Sequence, residues 1–303
     1  MTRPRRLHAL WQKITPTPDP GLYSPLPADP APGEALQMTY LGTAGFVLEQ
    51  AGHVLALDPY VTRSDLTTTL TQPLQPDVAR IAQLIPRCND VLVGHAHYDH
   101  VLDAPELCRQ TGARLIGSRA VCMVGRAAGL PESQLLETAG REDLRSGDWT
   151  VRGLPSVHGK AAFGRIPLPG DHTCPPPWPP RFFQLKHGLV LNWLVRTPSL
   201  TVAHIDSADF LDEELQGHRC DVLCLCAIGR QYRPGYARRA IELLRPRWVV
   251  PCHWDTMITP MEQPPGLFPG VDLAGFVAEI RAAGTEAVVL PLRGQWQFFP
   301  PAP

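Results

Sequence analysis

Long runs of one charge are missing from this chain, and so are long apolar runs. Lys and Arg number 28 against 29 Asp and Glu, a formal net charge of -1 with no block of either sign. There is thus no electrostatic footprint for a polyanion, and nucleic acid is excluded as an expected partner. No apolar run reaches the roughly eighteen residues that a membrane span needs. The basic start "MTRPRRLHALWQ" lacks the apolar stretch and cleavage site of a secretory signal. Regular cysteine spacing is absent too: the eight cysteines lie singly or inside apolar runs such as "DVLCLCAIG", unlike a disulfide-stapled secreted domain. Reduced thiols and a cytoplasmic location are expected. What the chain does have is 44% hydrophobic residues over 303 positions, ample for a core.

Two stretches form an amino-terminal arm over 1–36. Leu7, Leu10, Trp11 and Ile14 recur at helical spacing beside Arg3, Arg5, Arg6 and Lys13. Residues 3–14 therefore read as a short amphipathic helix, which packs on its own domain, makes peripheral membrane contact or pairs subunits into an oligomer. Residues 15–33 carry seven prolines and predict an extended connector rather than a packed element. The compact domain spans 37–303. "LQMTYL", "GFVLEQ" and "HVLALD" read as an antiparallel meander, "DVARIAQLI" as a helix and "DVLVG" as a buried strand. "APELCRQTG" and "SRAVCMVGRAAG" are helical around the strand "RLIG", followed by strands in "WTVRGLPSVH", "FFQLKH", "LVLNWLVRT" and "LTVAHID". "CDVLCLCAIG", a helix from Tyr236 to Leu244 and "RWVVPCH" make a strand-helix-strand unit, and "VDLAGFVAEIRAAG", "EAVVL" and "WQFF" close the chain. Strands interleaved with helices in both halves predict an α/β sandwich of two sheets with helices outside.

The chemistry concentrates in "GHAHYDH", residues 94–100, where three of only 11 histidines stand with an aspartate. In an extended chain His95, His97 and Asp99 project to one side, and a bend over 98–100 aims His100 at a neighbouring point. A buried histidine or a turn aspartate explains any one of these residues without a metal. Four together fit imidazole and carboxylate ligation of zinc, manganese or iron, at a geometry suited to two ions.

With its full H-x-H-x-D-H motif in His95, His97, Asp99 and His100, the chain resembles the metallo-β-lactamase superfamily. The resemblance covers about residues 37–299 and implies a four-layer αββα sandwich. It also implies further strand-end residues in order. "LALDP" supplies Asp58, expected to orient a ligand histidine from behind. "SVHG" supplies His158, "AHIDSAD" supplies Asp206 as a bridging carboxylate with Asp209 as its rival, and "VPCHWDT" supplies His253. Ile-Asp-Ser stands where the family has Gly-Asp-Thr. His95, His97 and His158 are then expected to hold one divalent ion and Asp99, His100 and His253 the other, zinc first, with manganese or iron as alternatives. Asp206 and a hydroxide lie between them, and Asp99 is the catalytic group that aims the hydroxide. "YLGTAGFVLE", "LDPY" and "LLRPRWVVPCHWDT" look most like the branch of ascorbate-6-phosphate lactonase and N-acyl-phosphatidylethanolamine phospholipase D. His97 in place of the usual Glu separates the chain from the flavodiiron branch.

That branch implies hydrolysis of a small anionic substrate, a phosphorylated ester or a lactone. A phosphodiesterase working on lipid headgroups, and a metal-bearing binding protein without turnover, are the alternatives. Residues 159–183, rich in proline, directly follow His158 and read equally as a lid or as a stiffened surface loop. Lys160, Arg165, His172, Trp178 and Arg181 are its candidate substrate contacts. Cys220, Cys224, Cys226 and Cys252 read as core packing rather than as a second metal set.

Overall fold

The computed structural model describes residues 14–25 and 35–300, so residues 3–13 of the proposed amphipathic helix, and any pairing of subunits through it, lie outside the described residues. Among the described residues there are two seven-stranded sheets. The first contains β1 (Leu36–Gly42), β2 (Gly45–Gln50), β3 (His53–Leu57), β4 (Asp90–Val93), β5 (Arg114–Gly117) and β6 (Leu135–Glu137). β1, β2 and β3 form the antiparallel meander that their short turns dictate, whereas β3 to β6 run parallel because helices cross over between them. The second contains β7 (Leu144–Ser146), β8 (Trp149–Ser156), β9 (Val190–Arg196), β10 (Thr201–Ile205), β11 (Val222–Cys226), β12 (Trp248–Cys252) and the two-residue β13 (Glu286–Ala287), ordered from β13 down to β7. The last strand, β14 (Gln295–Phe298), returns to the first sheet beside β1.

Helices cover the outer faces, giving the four-layer αββα sandwich. The first half of the chain supplies α1 (Leu66–Thr71), α2 (Val78–Leu84), the single turn α3 (Tyr98–Val101), α4 (Ala104–Thr111) and α5 (Arg119–Ala127). The second supplies α6 (Asp212–Leu215), α7 (Tyr236–Leu244) and α8 (Leu273–Ala282). Side-chain alternation explains why "DVLVG" is apolar throughout. Leu92 faces the space between the sheets with Phe46, Leu57 and Trp193, while Val91 and Val93 face the helices with Leu107 and Val121.

Three stretches depart from the sequence-based expectation. "FFQLKH", which alternates like a strand, contains a 3-10 turn at Phe182–Gln184. "EAVVL" contributes only two residues to the sheet. The proline-rich connector, where described, is packed. The Leu267 N–H donates to the Pro16 carbonyl at 2.8 Å, Ser24 N–H to Val289 at 2.9 Å, and the Tyr23 ring lies 6.3 Å from Trp254. Proline removes donors but leaves its carbonyls free to accept, so a proline-rich segment can still dock along an edge.

One buried ion pair ties the two sheets. Arg63, past the end of β3, donates from Nη2 to Asp255 Oδ2 at 2.6 Å, and Asp255 lies past the end of β12. Both side chains are fully buried. Asp255 Oδ1 also accepts from the Tyr40 hydroxyl and the Thr43 N–H, each at 2.8 Å, and Arg63 Nη1 donates to the Thr256 carbonyl at 3.0 Å. Gly42 makes room: a Cβ there would stand 1.8 Å from Arg63 Nη2. Removing one partner strands a buried charge, so Arg63→Leu is expected to lower unfolding free energy by about 3–5 kcal/mol. Arg126→Ala, which loses only solvent-facing pairs with Glu132 and Glu137, is expected to cost about 1 kcal/mol or less. Denaturant melts of the two variants check this, and equal losses would overturn it.

Candidate metal centre

The carboxyl ends of five strands from both sheets open onto one point. Asp58 follows β3, His95 follows β4 by one glycine, His158 follows β8, Asp206 follows β10 and His253 follows β12. His95 and His97 lie on the extended link after β4; His97 then caps the turn α3, which carries Asp99 and His100. One helical turn, rather than a simple bend, thus brings Asp99 and His100 to the same place. Gly94 is required by this crowding, because a Cβ there would sit 2.2 Å from Asp206 Oδ2.

The donors fall into three overlapping sets, each with ligand atoms within 4.8 Å of one another: His95, His97 and His158; Asp99, His100 and His253; and His95, His100 and Asp206. His95 Nδ1 lies 2.6 Å from Asp206 Oδ2, and its Nε2 faces His97 Nδ1 at 3.0 Å. His253 Nε2 lies 3.3 Å from both His100 Nε2 and Asp99 Oδ2. Behind them, Asp58 Oδ1 accepts from the Gly94 N–H at 2.7 Å, and Oδ2 meets His100 Nδ1 at 2.8 Å. When ionised, Asp58 can only accept there, which puts the His100 proton on Nδ1 and leaves Nε2 facing the cluster. Asp209, the rival of Asp206, is turned away into an ion pair with Arg233.

This donor set suits divalent cations. Burial lowers the imidazoles of His97 and His100 from 6.5 to about 3, and lowers those of His95 and His158 as well, with neighbouring histidines adding to the shift at His95 and His97. The rings are neutral and present lone pairs. Burial works to raise the Asp99 carboxyl, but His100 and His253 beside it prevail and hold it well below the carboxylate range. Burial and the Asp206 charge push Asp58 well above that range. His97 Nε2, Asp206 Oδ1 and His253 Nδ1 are buried without any protein partner. A largely buried cluster rich in lone pairs and negative charge and poor in donors is what a positive ion satisfies.

The cluster forms the floor of a cavity of about 470 Å³ whose walls are apolar: Leu66, Leu70, Leu168, Phe182, Met257 and Ile258 are among them. Of the five candidate substrate contacts, Arg165 lines this cavity, while the other four lie outside its wall. Lys160 is exposed beside it. The His172 ring accepts from the Lys186 N–H at 3.1 Å, Trp178 packs against the outer cores, and the Arg181 guanidinium donates to the Thr71 carbonyl at 2.7 Å. Cys226 reaches the cavity lining, and burial holds it as a thiol. His187, which the sequence marks only as half of a turn, stacks on His158 at 5.5 Å and stands edge-on to His97 at 5.8 Å.

A family model described as the Beta-lactamase superfamily domain matches residues 37–253. A UPF0173 metal-dependent hydrolase of Anaeromyxobacter sp. (strain K) is 31% identical over 260 residues, covering 82% of this chain and 80% of that protein. One from Pyrobaculum arsenaticum is 29% identical over 227 residues, covering 73% and 85%. Among solved structures, Igni18, a metallo hydrolase from Ignicoccus hospitalis, shares the fold with a TM-score of 0.59 at 19% identity, over 87% of this chain and 98% of that one.

The neutral imidazoles make a pH prediction for the metal-free protein. In the folded chain His95, His97 and His100 take up protons only well below 6.5, and His158 below it. The unfolded chain therefore binds more protons as pH falls through 6.5 toward 3, and folding loses stability across that window. The raised Asp58 and Asp103 work in the opposite direction, but as two groups against eight, since burial lowers His53, His172, His204 and His218 as well. Thermal melts in chelator should show Tm nearly level above about pH 7 and falling steadily below it. A Tm that rises on acidification would contradict the neutral cluster.

Proposed function

Because the chain belongs to the metallo-β-lactamase superfamily and, within it, to the UPF0173 metal-dependent hydrolases, we propose that it cleaves small esters or lactones at a two-ion centre. The observation that carries this reading is the trio of overlapping donor sets at the floor of an apolar cavity. His95, His97 and His158 would hold one ion and Asp99, His100 and His253 the other, with Asp206, beside His95 and His100, as a carboxylate available to both. Imidazole and carboxylate ligands suit zinc first, and manganese or iron as well. When bound, such a pair of ions supplies Lewis acidity and lowers the pKa of water toward neutrality.

The remaining work falls to the protein. The Asp99 carboxylate, held ionised, orients the attacking water, accepts its proton and returns it to the leaving oxygen. Asp58 fixes the His100 tautomer. The apolar walls exclude bulk water and hold the hydrocarbon part of the substrate. Arg165, the one side-chain cation among the described residues of the lining, meets a single anionic group at the mouth. One cation on apolar walls favours a carboxylic ester or lactone over a multiply charged phosphate.

A screen of p-nitrophenyl esters, aliphatic lactones and p-nitrophenyl phosphodiesters, on protein loaded with zinc, manganese or iron, tests this. Esters or lactones with apolar bodies are expected to turn over fastest. His97→Ala and Asp206→Ala are expected to lose both bound metal and hydrolysis, and Asp58→Asn to lose about 10- to 100-fold in metal affinity or rate. Full metal content and full rate in His97→Ala would sink the assignment.

A further inference from the structure

The cavity opens among large apolar side chains that the fold leaves uncovered. Phe163 is 97% exposed and Ile166 42% exposed, on the segment whose Ala161, Arg165, Pro167 and Leu168 line the wall. Leu70, another wall residue, is 53% exposed. Phe183 is 49% exposed, its ring 5.5 Å from that of the wall residue Phe182. Single exposed apolar residues are ordinary, but a cluster around one opening marks a contact surface. Phe163 also holds a left-handed backbone, φ 58°, which a bulky side chain disfavours. The turn thus holds an aromatic ring out into water, and no packing among the described residues accounts for it.

Charge identifies what covers this rim. Residues 159–186 hold four Lys or Arg and one Asp, in a chain whose net charge is -1. The exposed Lys160 and Arg165 alternate with Phe163 and Ile166. The one acid of that segment, Asp171, turns its Oδ1 to the His172 N–H at 2.7 Å.

We propose that this rim docks on an anionic lipid bilayer. Phe163, Ile166, Leu70 and Phe183 enter the boundary between headgroups and acyl chains, and Lys160 and Arg165 meet lipid phosphates. The mouth of the cavity then faces the lipid, so an amphiphilic ester moves from bilayer to metal centre with its hydrocarbon part shielded from water. That last step rests on the ester-or-lactone reading above; the docking does not. The contact surface differs from the amino-terminal residues 3–14 that the sequence marks for membrane contact.

Co-sedimentation of the full-length metal-loaded protein, with phosphatidylcholine vesicles alone and mixed with phosphatidylglycerol, tests the docking. Two basic residues at a negative surface predict about 30-fold stronger binding to the mixed vesicles, weakened by salt. Phe163→Ser/Ile166→Ser is expected to lower that binding at least about tenfold. The same double variant should melt like the parent and hydrolyse a short, water-soluble ester at the parent rate. Parent protein that ignores anionic vesicles, or a double variant that binds them as well as the parent, overturns the docking. Loss of vesicle binding by the double variant in a protein that cleaves no ester or lactone upholds the docking and sinks the ester reading alone.

Discussion

Seven electron-pair donors side by side, six of them buried and His158 partly so, with too few protons to share among them, are the constraint around which this molecule is arranged. Nitrogen faces nitrogen at 3.0 Å between His95 and His97 and at 3.3 Å between His100 and His253. His95 and His97, both neutral, can satisfy each other only in part, since each ring carries one N–H. In a low dielectric the unsatisfied remainder is costly, and protonating the rings is costly too. A divalent ion would remove both penalties at once, so the same crowding that costs the fold energy favours a bound cation.

Holding that arrangement requires the two sheets to keep a fixed relation, because each contributes only part of the donor set. His253 comes from the second sheet, yet its N–H is held by the Thr43 carbonyl on the turn between β1 and β2 of the first. The same turn is gripped by Asp255 through the Thr43 N–H, and Asp255 is gripped by Arg63. His253 itself sits at φ 52° and Asp58 at φ 41°, both in the left-handed region that non-glycine residues avoid. Strain at these two strand ends survives because hydrogen bonds around them over-determine the backbone. The buried pair is thus better understood as fixing geometry than as adding net stability.

The sequence made part of this legible and hid the rest for definite reasons. His95, His97, Asp99 and His100 stand within six positions, so their convergence is local and can be read directly. His158, Asp206 and His253 could be found only through the family resemblance and the order of strand ends. Spacing alone does not separate Asp206 from Asp209, a choice that turns on Arg233. Arg63 and Asp255 are 192 positions apart, and nothing local announces their pairing. His187 carries no signal beyond being a histidine after a proline-rich loop. "FFQLKH" misleads because alternation is a property that a half-buried 3-10 turn can imitate. Which residues of 159–183 face the cavity is decided by the tertiary course of the loop, and composition pointed to five polar or aromatic side chains of which one lines the wall.

Centre and walls come from different parts of the chain, and this separation has a chemical consequence. The donors sit on strand ends, where ladder hydrogen bonds fix the backbone, while the walls come from α1 and from the segments over 159–182 and 257–268. Loops tolerate changes that strands do not, so the walls can be rebuilt without disturbing the donors. The bond-breaking chemistry must then be argued from the strand ends and the substrate from the loops. Here, among the described residues of the lining, the loops bring hydrocarbon and the guanidinium of Arg165. The low-polarity walls also strengthen every electrostatic contact beneath them, since field lines that would end in water are confined to the donors. An apolar cavity over a highly polar floor thus joins two properties: the walls that shape the space also raise the strength of the charges at its base.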